Sequence, residues 1–301
     1  MGKGSPKPKP LNRAEILRTA LTGLVGVDAL FERLVFKGGN AIDWFYGGSG
    51  RASKDLDFSI DRSVTDLPIE KLEMYALQGL PAAFEKKGLH VFALQVREVP
   101  EAVKDDLRVF WGGYKIEFKL VMQETWENYQ GRESELSPKA LTIDGPGTIE
   151  IDLSRHEHCD KPEVKDVDGY AVNVYPVALI VAEKFRALCQ QTQRYCDLLE
   201  RSPRARAQDF FDIRLLIERH SIDVEADQFL DLARAVFDAK RVDGSLLKEL
   251  EGTRELHRPD YVKLSQTVSP GVKLLSYDEY FDGTLSLAFK IHARWEVNPP
   301  L

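Results

Sequence analysis

Lys37-Gly38-Gly39-Asn40-Ala41-Ile42, followed by Arg51-Ala52-Ser53-Lys54-Asp55-Leu56-Asp57-Phe58, is the stretch on which the reading of this chain turns. The apolar run Leu34-Val35-Phe36 predicts a short strand, and the glycines predict a tight turn into a helix over 40–46. Two glycines at such a junction let the backbone approach a phosphate closely, with N–H groups at the helix start facing the anion. Gly47-Gly48-Ser49-Gly50 then reads as a loop. Beyond it Leu56, Phe58 and Ile60 alternate with Asp55, Asp57 and Ser59, the period-two pattern of a strand with one apolar face. Asp55 and Asp57 therefore point the same way. Paired carboxylates on one strand face suit Mg²⁺, a hard cation that shares its oxygen ligands with substrate phosphates. Either element alone is common, but their order and the sixteen residues from Gly39 to Asp55 bind them into one unit. A Walker A loop is excluded, since no Gly-Lys-Ser/Thr follows at the required spacing.

Working outward, apolar residues from Ile16 to Leu24 recur at helical spacing and predict one or two helices over 12–34, broken near Gly26. A helix over 69–87, strands near 90–97 and 114–121, a polar excursion over 123–146 and a strand over 149–153 follow. After Tyr175-Pro176 the texture changes to long helices over 177–200, 206–220 and 224–239, with a final helix over 285–294. The expected fold is α/β (α+β): a mixed sheet with flanking helices, then a mostly helical part. Its expected divisions are a flexible tail over 1–11, an α/β domain over 12–175 and a helical domain over 176–301.

At this point the chain resembles the AbiEii/AbiGii family of type IV toxins, within the polymerase-β-type nucleotidyltransferase superfamily. The family's first motif matches the opening stretch, with Asn40 where the family has Ser or Thr. A second motif matches Ala182-Glu183-Lys184-Phe185-Arg186-Ala187. A third matches Gln208-Asp209-Phe210-Phe211-Asp212-Ile213, where Gln208 replaces the family's Arg and Arg204 and Arg206 stand just upstream. The resemblance implies a nucleotidyltransferase-type sheet and transfer of a nucleoside monophosphate from a triphosphate. Asp55 and Asp57 would hold Mg²⁺ (or Mn²⁺), and Lys37, Gly38, Gly39, Asn40, Arg51 and Ser53 would bind the nucleotide. Lys184 would neutralise triphosphate charge in the transition state. Asp209 and Asp212, at i and i+3, share one helix face. Asp209 is expected in the catalytic set; Asp209 or Asp212 is expected against Lys184 or the incoming nucleotide, the structural alternative being that Asp212 pairs with Arg186 or caps a neighbouring helix. For a third metal carboxylate Glu117 is the first candidate and Asp152 the rival, since both lie on the polar phase of an alternating strand. The implied acceptor is a tRNA 3′ end, the implied partner an antitoxin, and the implied role growth arrest or phage defence.

The remaining features bound this reading. With 43% apolar and 30% charged residues among 301, the chain can bury a sizeable core. No run approaches the roughly 18 apolar residues of a membrane span, and no apolar run follows Met1–Pro10, so neither a membrane span nor a secretory leader is expected. Three cysteines cannot build a disulfide framework, which fits a cytoplasmic location. A net charge of −7 argues against a bulk nucleic-acid coat. Arg186, Arg194, Arg201, Arg204, Arg206 and Arg214 still give the helical part a basic bias, read either as a solvated face or as a landing strip for RNA. His156-Glu157-His158-Cys159 has zinc-ligand residue types but no second ligand pair, so a strand end with exposed imidazoles is expected there. Cys189 and Cys196, seven apart, are expected to share a helix face. Other outcomes consistent with the residues are a nucleotide- or RNA-binding module without transfer, nucleotidylation of a protein side chain, and a small-molecule acceptor.

Overall fold

In a computed structural model the described residues form one mixed sheet of seven strands, in the order Leu89–Val99, Gly113–Met122, Thr148–Glu157, Leu56–Asp61, Leu34–Lys37, Tyr170–Val174 and Glu163–Val167. The structure describes residues 12–48, 53–64, 67–102, 104–142, 147–268 and 272–297. The expected tail over 1–11, and Arg51, lie outside the described residues.

The chain opens with α1 (Arg13–Val25), started by a reciprocal cap in which the Asn12 side chain accepts from the Glu15 N–H and the Glu15 carboxylate accepts from the Asn12 N–H. Gly26 ends it, and the short α2 (Asp28–Phe31) leads into β1 (Leu34–Lys37). Helix α3 (Gly38–Phe45) starts at the glycines themselves, two residues earlier than expected. β2 (Leu56–Asp61), α4 (Ile69–Glu85), β3 (Leu89–Val99), α5 (Asp105–Arg108) and β4 (Gly113–Met122) follow. The polar excursion carries α6 (Gln123–Tyr129) and two single turns around the buried Leu136. β5 (Thr148–Glu157) runs four residues beyond the expected strand.

A hairpin then completes the sheet: β6 (Glu163–Val167) and β7 (Tyr170–Val174), joined by Asp168-Gly169 with both residues at positive φ. The sequence reading did not assign this hairpin, although Asp-Gly between two alternating runs is the turn that matches strand twist. The pair docks β7 parallel to β1, which protects one side of the strand that carries the glycine turn.

The helical part is α7 (Val177–Cys189), α8 (Gln193–Leu198), α9 (Ala207–His220), α10 (Asp227–Ala239), α11 (Leu246–Glu249), α12 (Arg254–Thr267) and α13 (Tyr277–Val297). The single helix expected over 177–200 is therefore two. The break falls at Gln190-Gln191-Thr192, where Thr192 turns its hydroxyl back onto the Cys189 carbonyl at 2.8 Å. Side-chain-to-backbone bonding of this kind competes with helix continuation. Cys189 and Cys196 consequently sit on different helices rather than on one face, both buried and both free thiols. α13 begins eight residues before the expected start because its buried stripe opens with Tyr277, Tyr280 and Phe281. The buried apolar cluster is continuous from Ile16 on α1 to Ile291 on α13, so the helices pack onto the sheet through shared core.

Candidate active site

The site is built on three adjacent strands. β1 pairs antiparallel with β2, setting Lys37 opposite Asp57, and β2 pairs parallel with β5, setting Asp57 opposite Asp152. Partners at one register point to one sheet face, so these three side chains rise together. Gly38 then turns away from β1 with φ +77°, and a Cβ there would collide with the Asp57 carboxylate. Both facts demand glycine, for backbone freedom and for room. Asn40 is buried in the first turn of α3, and its side-chain amide donates to the Asp55 carbonyl at 2.7 Å. This residue braces the segment that delivers the aspartates instead of opening onto the cleft. From the far side the Arg13 guanidinium donates to the Lys54 carbonyl at 2.6 Å, fixing the same segment.

The sheet wall concentrates negative charge. Burial pushes the Asp57 carboxyl up to about 7, with Asp152, Glu183 and Asp55 adding repulsion and Lys37 opposing it. Asp55 is raised by burial and by the fields of Glu150 and Asp152. Asp152 stands 3.2 Å from the Lys115 ammonium. Glu117 does not join this group. It lies opposite Glu150 on β4 and accepts from Arg97 at 3.0 Å, outside the cleft lining. The strand order decides this: β5, which carries Asp152, lies between β4 and β2.

The facing wall comes from α7 and α9. Lys184 is buried, and its ammonium donates to Asp209 and to Asp212, each at 2.8 Å. Asp209 is also engaged by the Arg206 guanidinium. Although burial opposes ionisation, Arg206 and Lys184 hold the Asp209 carboxyl well below its ordinary range. Burial likewise disfavours the Lys184 ammonium, but Asp209 and Asp212 more than offset it. Asp212 thus meets Lys184, not Arg186 as its structural alternative supposed. Behind this group the Arg206 N–H donates to Nδ1 of the fully buried His257, whose pKa burial lowers to about 4.

Four functional candidates lie outside the sequence reading. Glu157, at the end of β5, is buried and accepts from Arg186 at 3.1 Å, with Lys240 at 3.4 Å and Lys37 at 3.6 Å. Glu183 binds Lys37 and Arg186. Lys240 arrives from the end of α10 and donates to the Arg155 carbonyl. Trp111 packs beside Lys240 and Arg201. No local motif marks Lys240 or Trp111. Glu157 lies inside the His156-Glu157-His158-Cys159 run, where the residue types suggest zinc ligands and the carboxylate instead accepts from cations. The two imidazoles are half-buried, not exposed, and burial lowers His156 to about 4.

Between the walls lies a cleft of about 960 Å³. Lys37, Gly38, Gly39, Ser53, Asp55, Asp57, Lys184 and Asp209 all line it, whereas Asn40 and Asp212 stand behind the lining. Of the arginines, Arg186, Arg201, Arg204 and Arg206 line the cleft, while Arg194 pairs with Glu249 and Arg214 with Glu218. Among the described residues no three acidic, histidine or cysteine side chains converge tightly enough to hold a metal by themselves. An all-carboxylate donor set of Asp55 and Asp57, with Asp152 in register, fits a hard divalent cation that completes its coordination from substrate phosphates.

Comparison with known proteins agrees with this architecture. The family model described as "Nucleotidyl transferase AbiEii toxin, Type IV TA system" matches residues 19–283. Among solved structures the chain is similar to MenT4, a nucleotidyltransferase toxin from Mycobacterium tuberculosis, at 16% identity and a TM-score of 0.50, covering 95% of this chain and 93% of that one. It is also similar to JHP933 from Helicobacter pylori, at 17% identity and a TM-score of 0.44, covering 95% and 92%. No curated protein matches the sequence.

Proposed function

The chain belongs to the AbiEii family of nucleotidyltransferase toxins of type IV toxin–antitoxin systems, and we propose that it moves a nucleoside monophosphate onto a tRNA 3′ end with Mg²⁺. The enzyme class, a nucleoside triphosphate as donor, a divalent metal and an antitoxin as opponent follow from the family. The tRNA acceptor, Mg²⁺ as the metal, the block of translation, the role in phage defence and a cytoplasmic site of action are the proposal. Among the described residues no helix is long and apolar enough to cross a membrane.

One observation carries the reading: Asp57 and Asp152 stand in register beside a glycine turn, facing Lys184 and a group of arginines across one cleft. Asp55 and Asp57 would hold the cation, which when bound would neutralise triphosphate charge and polarise the phosphoryl oxygens as a Lewis acid. The chain's own part is largely positioning and electrostatics. The N–H groups opening α3 at Gly38 and Gly39 face the phosphates, as helix starts do. Lys184 exchanges one aspartate partner for a phosphate oxygen and offsets the charge that builds on the leaving pyrophosphate. Asp152 orients the acceptor hydroxyl and accepts its proton. The acceptor oxygen bonds to the α-phosphorus, the bond from that phosphorus to the bridging oxygen breaks, and pyrophosphate leaves with the electron pair.

The test is one incubation of purified protein with total tRNA, Mg²⁺ and each α-labelled nucleotide in turn, beside Asp57→Ala. Label on tRNA with the wild type alone is the expected result. Label on protein would move the acceptor to a side chain. Saturable nucleotide binding with no label anywhere would reduce the protein to a binding module and sink the transferase reading.

A further inference from the structure

The ion cluster beneath the cleft is not balanced. Among the described residues Lys37, Arg186 and Lys240 share only Glu157 and Glu183 in ion-pair contact, and all but Glu183 are nine-tenths or more buried. Asp57 acts on Lys37 through its field alone. Burying a cation that no carboxylate requires is costly. Lys240 is that cation: Lys37 and Arg186 each meet both Glu157 and Glu183, whereas Lys240 meets Glu157 alone. Burial, together with the charges of Arg186 and Lys37, brings its pKa down to about 8. Two guanidinium donors close by are also unsatisfied: Nε of Arg186 and Nε of Arg201 are buried without a hydrogen-bond partner among the described residues.

The position of this excess charge along the sheet is informative. From Asp152, β5 runs five residues on to Glu157, and the register with β2 and β1 puts Gly38 in the opposite direction. The carboxylates thus lie between the glycine turn and the Lys240 end of the cleft. In an in-line displacement the attacking and leaving oxygens stand on opposite sides of the transferred phosphorus. With the triphosphate at the glycine turn, the acceptor comes from the Lys240 end. Trp111 lies there, 5.6 Å from the Lys240 ammonium and 5.7 Å from the Arg201 guanidinium. An aromatic surface beside cations is how single-stranded nucleic acids are held.

We propose that Lys240, Arg186 and Arg201 form a phosphate subsite at the end of the cleft beyond Asp152, and that it takes a backbone phosphate of the acceptor strand. The assignment rests on the nucleic-acid acceptor read above, and its test does not require transfer to occur. Anisotropy of a labelled short oligoribonucleotide would be measured over a salt series for the wild type, Lys240→Met, Lys240→Arg and Arg201→Gln, with melting curves as a check on folding. Lys240→Met leaves the cluster electrically balanced and is expected to fold. It should bind the oligonucleotide about tenfold more weakly, the usual loss for one charge-assisted contact. The slope of log affinity against log salt should fall by about 0.7, and Lys240→Arg should recover most of the affinity. Arg201→Gln provides the same readout should Lys240→Met melt early.

Unchanged affinity and salt slope in folded Lys240→Met and Arg201→Gln would overturn the subsite, as would a wild type that binds no oligonucleotide. Inorganic pyrophosphate is the second probe. If Lys240→Met weakens pyrophosphate binding and spares the oligonucleotide, the phosphate belongs to the nucleotide and the acceptor assignment falls. A wild type that binds the oligonucleotide through Lys240 but transfers nothing would sink the transferase reading and leave the subsite standing.

Discussion

The two walls of the cleft carry similar residue types and opposite electrostatics. On the sheet wall Asp55 and Asp57 are crowded with Asp152, and burial raises Asp57 to about 7. On the helical wall Asp209 and Asp212 are closed around Lys184, and Asp209 is held well below its ordinary range although it is the more deeply buried. A buried carboxylate raised by its surroundings is held at a cost to the fold and is ready for a cation. A buried carboxylate with two cations on it supports the fold first. The difference separates substitutions that should remove activity from those that should also remove stability.

The largest expected effect tests the sheet wall. Asp57→Asn should lower transfer about a thousandfold, equivalent to about 4 kcal/mol of transition-state stabilisation, measured by label incorporation. The same variant should melt no lower than the wild type without metal, because it removes an ion that the fold disfavours. An aspartate whose pKa is raised in the native state binds protons that the unfolded chain has released, so its contribution falls as pH rises from about 4 to about 7. The melting advantage of metal-free Asp57→Asn should therefore widen over that window and level off above it. Comparing the two proteins cancels the opposing contribution of His156 and His257, both lowered to about 4.

The helical wall should answer differently. Asp209→Ala leaves the buried Lys184 with Asp212 alone and the half-buried Arg206 without its partner, a change expected to cost about 3 kcal/mol, the low end for a broken buried pair. Denaturant unfolding should show it, and a stability close to wild type would break the contrast between the walls. Gly38→Ala combines a positive φ with a collision against Asp57. It should cost about 1–3 kcal/mol and lower transfer with it, since the displaced group is the Asp57 carboxylate itself. The smallest effect is expected at the residue the alternating strand first suggested. Glu117→Gln loses only a partly exposed pair with Arg97 and should retain transfer, with a stability change of about 0–1 kcal/mol. Lost activity there would return Glu117 to the site.

Local sequence carried a good part of this. The glycine turn, the alternation of β2 and the three motif segments could be read because each depends on neighbours within one turn or one strand. The hairpin at Asp168-Gly169 is equally local, marked by a turn dipeptide between two alternating runs. The break after Cys189 was harder, because the apolar spacing continues through Gln190-Gln191-Thr192 and no glycine or proline interrupts it. Besides the Thr192 hydroxyl, the following loop is seated on the break: Arg201 donates to the Gln190 carbonyl and the Arg204 N–H to the Gln191 side chain. Those are contacts from ten or more residues away.

Glu117 and Asp152 show the boundary most sharply. Each sits on the polar phase of an alternating strand, and periodicity treats them alike. Strand order separates them, because β5 lies beside β2 while β4 is one place farther out. The same holds for Lys240 and Glu157, which meet across 83 residues of chain. The sequence by itself determined which side chains share a face within an element, because backbone geometry repeats every two or every 3.6 residues. Only the tertiary structure decided which faces meet, and so which carboxylates are left in want of a cation and which already hold one, because burial and pairing depend on neighbours that no local period encodes.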